Sequence, residues 1–194
     1  MNPKVSSAFL FTIVLATFIT GALVNPFVND PRLSFGVPVL LLLLWGLWAL
    51  LPAIDPIAKG FPGFRYIYDL IWIMISAVVA YGYALKLGDV LSWNVDIVRA
   101  MMPPIAVLIF TVGALLPRIG RNWFFGIRTP WTLSSDEDWK KTHEFSRPVF
   151  MTAGALILLG TFLPRVWGAG LLIASILGAA FISVVYSYVV FRRK

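Results

Sequence analysis

Six apolar stretches, each close to the length of a membrane-crossing helix, are the feature that most constrains how this chain folds. A helix needs about 20 apolar residues to cross the hydrocarbon core of a bilayer. The six stretches are predicted at 5–24, 35–51, 67–87, 100–116, 149–163 and 166–191. They are continuously apolar rather than alternating, which favours helices over the strands of a barrel. The predicted fold is an all-α integral membrane bundle of about six transmembrane helices.

The composition agrees with a chain that is surrounded largely by lipid. Charged residues make up 13% of the 194 residues and hydrophobic residues 59%, whereas a soluble domain carries about 25% charged residues. The expected partner of most of the surface is therefore the lipid bilayer. The sequence has no cysteine, which excludes disulfides and thiolate metal sites. The first apolar stretch is longer than a signal-peptide core of about 7–15 residues and is predicted to remain as a first helix.

Basic residues are distributed unequally between the two sides of such a bundle. With six spans, one side carries Lys4, Lys59, Arg65, Arg118, Arg121, Arg128, Lys140, Lys141, Arg147, Arg192, Arg193 and Lys194, and the other carries Arg32, Lys86, Arg99 and Arg165. Lys and Arg collect in cytoplasmic loops, which predicts a cell-membrane protein with both termini in the cytoplasm. The same bias accounts for most of the net charge of +7, so direct binding of nucleic acid is not expected.

The loop at 118–148 differs from the other connections in length and in chemistry. It contains six of the sixteen basic residues, four of the nine acidic ones and the only histidine, His143. A structureless loop of about 30 residues is uncommon in a compact domain, so this loop is expected to have its own order. Trp139 and His143 lie four residues apart and would share one face of a helix.

The second half of this loop carries the signals of a helix start. Ser134 or Ser135 can cap the first turn, and the acidic residues at 136–138 favour the positive end of the helix dipole. Ser134 with Glu137 also matches a capping box. We expect an interfacial helix that leads into the fifth span at Pro148.

The first half of the loop places an arginine, Arg128, in an apolar neighbourhood between Gly126 and Pro130. A guanidinium near the membrane needs carboxylates, backbone carbonyls or lipid phosphates as partners. It can also extend to the head groups without a protein partner. The candidate carboxylates are Asp136, Glu137, Asp138, Asp55 and Asp69.

The string FFGIRTPWTLSSDEDWKKTH at 124–143 resembles the signature of the SdpI family, membrane proteins named for immunity to a sporulation-delaying toxin. The positions that carry the resemblance are Asn122, Gly126, Ile127, Arg128, Thr129, Pro130, Trp131, Thr132, Leu133, Trp139, Lys141, Thr142 and His143. The match is dense over 115–147 and loose elsewhere. It divides the chain into an N-terminal membrane region at 1–99 and an SdpI-like membrane domain at 100–194, with the signature loop at 118–148.

The resemblance implies protection of the cell from a secreted toxin peptide. It also implies that the signature loop holds a soluble winged-helix repressor at the membrane. It suggests neither an enzyme nor a cofactor. The residues expected to bind a partner or to organise the loop are Asn122, Gly126, Arg128, Thr129, Pro130, Trp131, Thr132, Trp139, Thr142 and His143.

Two alternatives remain open from the residues alone. A transporter places ionisable groups inside its spans, and Asp69 is the one candidate. A metal-binding or small-molecule-binding protein would use the acidic and aromatic groups of the loop, with Asp136, Glu137, Asp138 and His143 as candidate metal ligands. Consecutive acids at a helix start point around its axis and rarely converge.

Glycines such as Gly154, Gly160 and Gly168 are expected to let helices pack closely.

Overall fold

The computed structural model describes residues 3–193, and this part of the chain is 82% helical with no strand. The helices are α1 (Pro3–Val28), α2 (Pro31–Ile54), α3 (Arg65–Val90), α4 (Ile97–Leu115), α5 (Pro130–Ser134), α6 (Asp136–Gly160) and α7 (Arg165–Arg192). A short 3-10 turn, Leu116–Arg118, follows α4. The predicted all-α membrane bundle is confirmed. Lys194, counted above among the basic residues, lies outside the described range.

Five helices of the described chain are long and apolar enough to cross a membrane: α1, α2, α3, α4 with its 3-10 turn, and α7. The fifth predicted span, 149–163, corresponds to the second half of α6, which ends at Gly160. The expected interfacial helix and the expected fifth span are therefore one continuous helix, and Pro148 lies inside it. Beyond the proline the helix continues to Gly160, and α6 packs against both α4 and α7. The count of six crossings stays a prediction.

Prolines lie both at a helix start and inside helices. Pro31 begins α2, where the Asp30 side chain accepts a hydrogen bond of 2.8 Å from the Arg32 N–H. Pro26 and Pro52, however, lie within the last turns of α1 and α2. Neither proline ends its helix at once, since α1 continues to Val28 and α2 to Ile54.

Hydrogen bonds between connections show which helix ends lie together. The Trp123 N–H of the signature loop donates to Asp55, in the connection between α2 and α3, at 2.8 Å. At the opposite end of the bundle, Arg99 at the start of α4 donates to the Leu163 carbonyl before α7, at 3.1 Å. We call the end of the bundle that holds the Asp55–Trp123 contact the loop end. It collects the connections that the sequence predicts on the strongly basic side.

The main hydrophobic core lies at the loop end. It contains Leu10, Trp48, Phe61, Phe64, Ile67, Tyr68, Ile71, Trp72, Leu115, Leu116, Ile119, Ile127 and Trp139. Residues of both predicted regions, 1–99 and 100–194, therefore share one core. A smaller cluster of Met102, Ala106 and Ile157 joins α4 to α6. The backbones are close there, since a Cβ on Gly154 would lie 2.8 Å from the Ala106 carbonyl oxygen.

Candidate functional site

Asn122 organises the first turn of the signature loop. Its side chain is fully buried, and its amide nitrogen donates to the carbonyls of Gly120 and Phe125 at 2.9 and 3.0 Å. Its amide oxygen accepts from the N–H groups of Phe124 and Phe125 at 2.9 and 2.6 Å. The side chain thus supplies partners that this tight backbone turn does not provide for itself.

Asp55 fastens this turn to the rest of the bundle. One carboxylate oxygen accepts from the N–H groups of Ile57 and Ala58 at 2.8 and 2.6 Å, and the other accepts from Trp123. The carboxylate is fully buried. In the sequence, Asp55 is a turn residue before Pro56 and a candidate partner for Arg128. Its contact with the signature loop is not predicted, because nothing local to residue 55 indicates so distant a partner.

Two threonines, Thr129 and Thr132, stabilise the start of α5. Thr129 precedes Pro130, the first residue of α5, and forms a capping box with Thr132. The Thr132 hydroxyl also donates to the Ile127 carbonyl at 2.9 Å and is fully buried. These bonds account for the Thr-Pro-x-Thr spacing in the sequence, because proline suits a first helical position that lacks an N–H partner.

Of the two predicted caps of α6, Ser134 and Ser135, the structure uses Ser135. Ser135 is the N-cap and accepts from the Asp138 N–H at 3.2 Å. Ser134 instead donates to the Trp131 carbonyl at 2.9 Å as the last residue of α5. The predicted capping box of Ser134 and Glu137 is therefore wrong, because α5 occupies the residues just before α6.

Trp131 packs α5 against the end of α7. Its indole N–H donates to the Ser187 hydroxyl at 2.8 Å. Its ring lies 5.4 Å from the Tyr188 ring and 5.7 Å from the Phe191 ring, measured between centroids. The side chain therefore joins the signature loop to the last helix.

Trp139 and His143 form the floor beneath the loop. Their rings stack with centroids 4.1 Å apart, and both side chains are buried. The Trp139 indole N–H donates to the Ile119 carbonyl at 2.8 Å, and the Ile127 N–H donates to His143 Nε2 at 3.1 Å. Gly126, at φ +104°, passes so close above that a Cβ would collide with His143 Nε2.

The hydrogen bonds assign the protonation state of His143. Nε2 accepts from Ile127, so Nδ1 carries the proton and donates to the Trp139 carbonyl at 2.8 Å. Burial lowers the pKa of His143 to about 4, against the smaller opposing effect of that carbonyl. The imidazole is therefore neutral at neutral pH, and both nitrogens are already in use. Its neighbour Thr142 is fully buried, and the hydroxyl has no hydrogen-bond partner among residues 3–193.

The candidate metal ligands do not come together. Asp136 pairs with Arg121 at 2.6 Å, and Glu137 pairs with Lys141 at 2.7 Å. In the described part of the chain, no group of three His, Cys, Asp or Glu side chains is arranged to hold a metal ion. The acidic residues 136–138 point in different directions around the start of α6, as expected for consecutive helical positions.

Arg128 takes a backbone partner rather than a carboxylate. It is exposed, and its guanidinium donates to the Trp123 carbonyl at 2.9 Å. Trp123 is itself 48% exposed. Arg128 and Trp123 thus form the outward face of the loop, which we call the Trp–Arg face. Sequence reasoning overlooked Trp123, which reads as one more interfacial tryptophan.

Asp69, the candidate transport group, joins three helices. Its carboxylate accepts from Arg65 at 3.0 Å, from the Trp48 indole at 2.9 Å and from the Ser6 hydroxyl at 2.8 Å. The group is fully buried, and the Arg65 guanidinium also lies 5.1 Å from the Trp48 ring centroid. These contacts explain an acidic residue in α3 by the packing of α1, α2 and α3.

A bundle of long apolar helices with one internally bonded polar loop at its end defines a polytopic helical membrane protein. A model of the SdpI/YfhL protein family matches residues 118–187, from the 3-10 turn to the serine that holds Trp131. Over these residues the chain is similar to the SdpI family, which confirms the resemblance drawn from the loop. No curated protein and no solved structure matches the chain.

Proposed function

We propose that this protein is a membrane immunity protein that protects its cell from a secreted toxin peptide, and that its signature loop binds a cytoplasmic winged-helix repressor. The family match carries the proposal, because it covers the whole signature loop together with α6 and most of α7. The family is not known as an enzyme family, and the two nitrogens of the only histidine are bound to backbone groups.

The Trp–Arg face is the part of the loop that suits a protein partner. Trp and Arg are the residues most enriched at the energetic centres of interfaces. Trp123 and Arg128 are held by a backbone that Asn122 and Asp55 fix from below. A surface that is already ordered loses less conformational entropy on binding than a flexible one.

The helix α6 offers a physical route between the two sides of the membrane. It begins in the signature loop at Asp136, carries Trp139 and His143, and continues to Gly160 near the opposite end. A peptide that binds there and shifts α6 would alter the loop that rests on it. Signalling of this kind needs a coupling free energy of about 1–3 kcal/mol between the two sites.

A growth-protection assay with a parallel recruitment assay tests the proposal. The intact protein should protect a sensitive host against a membrane-active toxin peptide and hold the repressor in the membrane fraction. Trp123→Ala with Arg128→Ala should abolish recruitment at unchanged membrane abundance. Trp167→Ala, which removes a 73% exposed tryptophan from the opposite end, is the matched control and should change neither result.

The outcomes separate the two parts of the proposal. Protection without any recruitment would leave immunity standing and remove the repressor. Failure of the intact protein to protect against every candidate peptide would refute immunity itself. The transporter alternative gains no support from Asp69, whose carboxylate is bonded to three side chains.

A further inference from the structure

A cleft of about 290 Å³ opens at the loop end between the 3-10 turn and the start of α6. Its rim carries Arg118, Arg121, Asp136 and Lys140, and the stacked rings of Trp139 and His143 lie at its base. The cleft is separate from the Trp–Arg face, since neither Trp123 nor Arg128 lines it.

The charges around the cleft are predominantly positive. Arg121 and Asp136 form an ion pair with each other at 2.6 Å, which leaves Arg118 and Lys140. The Arg118 guanidinium has no ion pair and no hydrogen bond within residues 3–193, and the Lys140 ammonium lies 3.9 Å from Glu144 with both side chains largely exposed. The base is electrically neutral, because His143 carries no charge at neutral pH. The cleft therefore has two positively charged side chains, Arg118 and Lys140, beside the Arg121–Asp136 ion pair, which carries no net charge.

The polar groups at the base of the cleft are already satisfied. The Trp139 indole N–H is bound to the Ile119 carbonyl, and both nitrogens of His143 are bound to backbone groups. The cationic donors that a ligand in the cleft would meet lie at the rim, on Arg118 and on Lys140, whose 3.9 Å pair with Glu144 is largely exposed to solvent. Cationic donors with no unpaired carboxylate in the lining favour an anion.

The position of the cleft relative to the membrane indicates the kind of anion. Arg118 is the last residue of the apolar segment Ile97–Arg118, which is long enough to cross the bilayer. The end of such a segment lies at the depth of the lipid head groups, where basic pockets bind anionic head groups. Arginine binds phosphate through two parallel hydrogen bonds.

We propose that this cleft binds a phosphoryl anion through Arg118 and Lys140, with the phosphate of an anionic phospholipid head group as the ligand that its depth favours. The site does not depend on the proposed function. Free phosphate offers the same chemistry, so the experiment has to distinguish the two sources.

The test uses the full-length protein in detergent micelles and three probes: short-chain phosphatidylglycerol, short-chain phosphatidylcholine and inorganic phosphate. Binding is followed by native mass spectrometry and by titration of the intrinsic tryptophan fluorescence. The anionic lipid should bind at least about tenfold more tightly than the zwitterionic one, since each basic residue near a membrane surface contributes measurably to anionic-lipid binding. Arg118→Ala with Lys140→Ala should remove about tenfold or more of that affinity.

Arg147→Ala is the matched control, because Arg147 is an exposed arginine on α6 that lies outside the cleft. It should leave the affinity within about twofold, as expected for a remote surface charge. Arg118→Lys, which keeps the charge and loses the paired hydrogen bonds, should have an affinity between those of the intact protein and the double variant. Circular dichroism of each variant checks the fold, and Lys140→Ala alone carries the test if the double variant misfolds.

Each result decides the matter. Preference for the anionic lipid that is lost only in the cleft variants supports a head-group site. Binding of inorganic phosphate with the same loss, and no preference between lipids, assigns the cleft to a soluble phosphoryl anion. An equal loss in Arg147→Ala, or no binding of any probe, overturns the proposal, because the interaction would then be general surface charge or absent.

Discussion

At the scale of single residues, buried polar side chains hold the backbone of the signature loop. Asn122 holds the turn at 120–125, Thr132 holds the start of α5, and His143 accepts from Ile127. A buried N–H or C=O that loses its partner destabilises the fold by about 1–3 kcal/mol. Truncation of these side chains should therefore act on folding first, whereas truncation on the Trp–Arg face should act on binding.

Gly126→Ala is expected to destabilise the protein by about 3 kcal/mol, from a positive φ that suits glycine and from the collision with the ring atoms beneath it. The added Cβ would meet His143 Nε2 and lie 3.1 Å from the Trp139 ring. Thermal unfolding in detergent, followed by circular dichroism, measures the loss.

Gly60→Ala is the matched control for this change. Gly60 also has a positive φ, +75°, but a Cβ there would have no neighbour within 4 Å. It should destabilise by only about 1–2 kcal/mol, the contribution of the backbone conformation alone. Equal losses for the two variants would show that the contact between Gly126 and His143 is not tight.

The buried imidazole makes stability depend on pH. The pKa of His143 is lowered from 6.5 to about 4 by burial, so the unfolded chain binds a proton that the folded chain rejects. The stabilisation is fully present above about pH 6.5 and is lost as the pH falls towards 4, by on the order of 3 kcal/mol. Unfolding midpoints measured between pH 7.5 and 4 should fall accordingly.

His143→Gln isolates this effect, because the chain has no other histidine. The variant should be less stable than the intact protein at pH 7.5, and its midpoint should change much less between pH 6.5 and 5. A variant with the same pH profile as the intact protein would assign the dependence to carboxylates instead.

At the scale of elements, a single carboxylate, that of Asp55, joins the signature loop to the connection between α2 and α3. Asp55→Asn should destabilise by about 1–3 kcal/mol, since an amide cannot accept from three N–H groups with one oxygen. Amide hydrogen exchange over 119–127 should accelerate more than exchange in α3. Asp89→Asn, at a largely exposed pair with Lys86, is the control and should change stability by less than about 0.5 kcal/mol.

The contact between Asp55 and Trp123 is an example of what the sequence cannot predict, whereas the helices are largely predictable. Apolar runs predict α1 to α4 and α7 to within a few residues, because lipid requires length and continuous hydrophobicity. The acidic start of α6 is also readable, from Ser135 onward. The contact of Asp55 with Trp123 is not readable, because two residues 68 positions apart leave no local signal.

Residue types in the loop were easier to single out than their roles. Trp139 and His143 share a face because helices repeat every 3.6 residues, and that periodicity is visible in the sequence. Their burial under Gly126 depends on how the loop folds back over α6, which periodicity does not specify. Likewise, Arg128 was matched with carboxylates by charge, whereas Asp136 and Asp69 are paired with nearer arginines.

At the scale of the whole molecule, the course of α6 sets the number of membrane crossings. The charged first half of α6 lies at the loop end, while its second half packs against α4 and α7 over apolar residues such as Ile157. If α6 crosses, Ser134 and Phe162 lie on opposite sides of the bilayer. If it does not, both lie on the same side, and the chain crosses five times.

Cysteine labelling distinguishes these arrangements, because the chain contains no cysteine of its own. We expect Lys59→Cys and Ser134→Cys to react with a membrane-impermeant maleimide only after cells are permeabilised, since the basic loop end should face the cytoplasm. Phe162→Cys, at a side chain 81% exposed, should react in intact cells. The reverse pattern would invert the orientation without changing the number of crossings. Reaction of Ser134→Cys and Phe162→Cys from the same side would instead remove α6 from the membrane, and with it the route by which an external peptide reaches the signature loop.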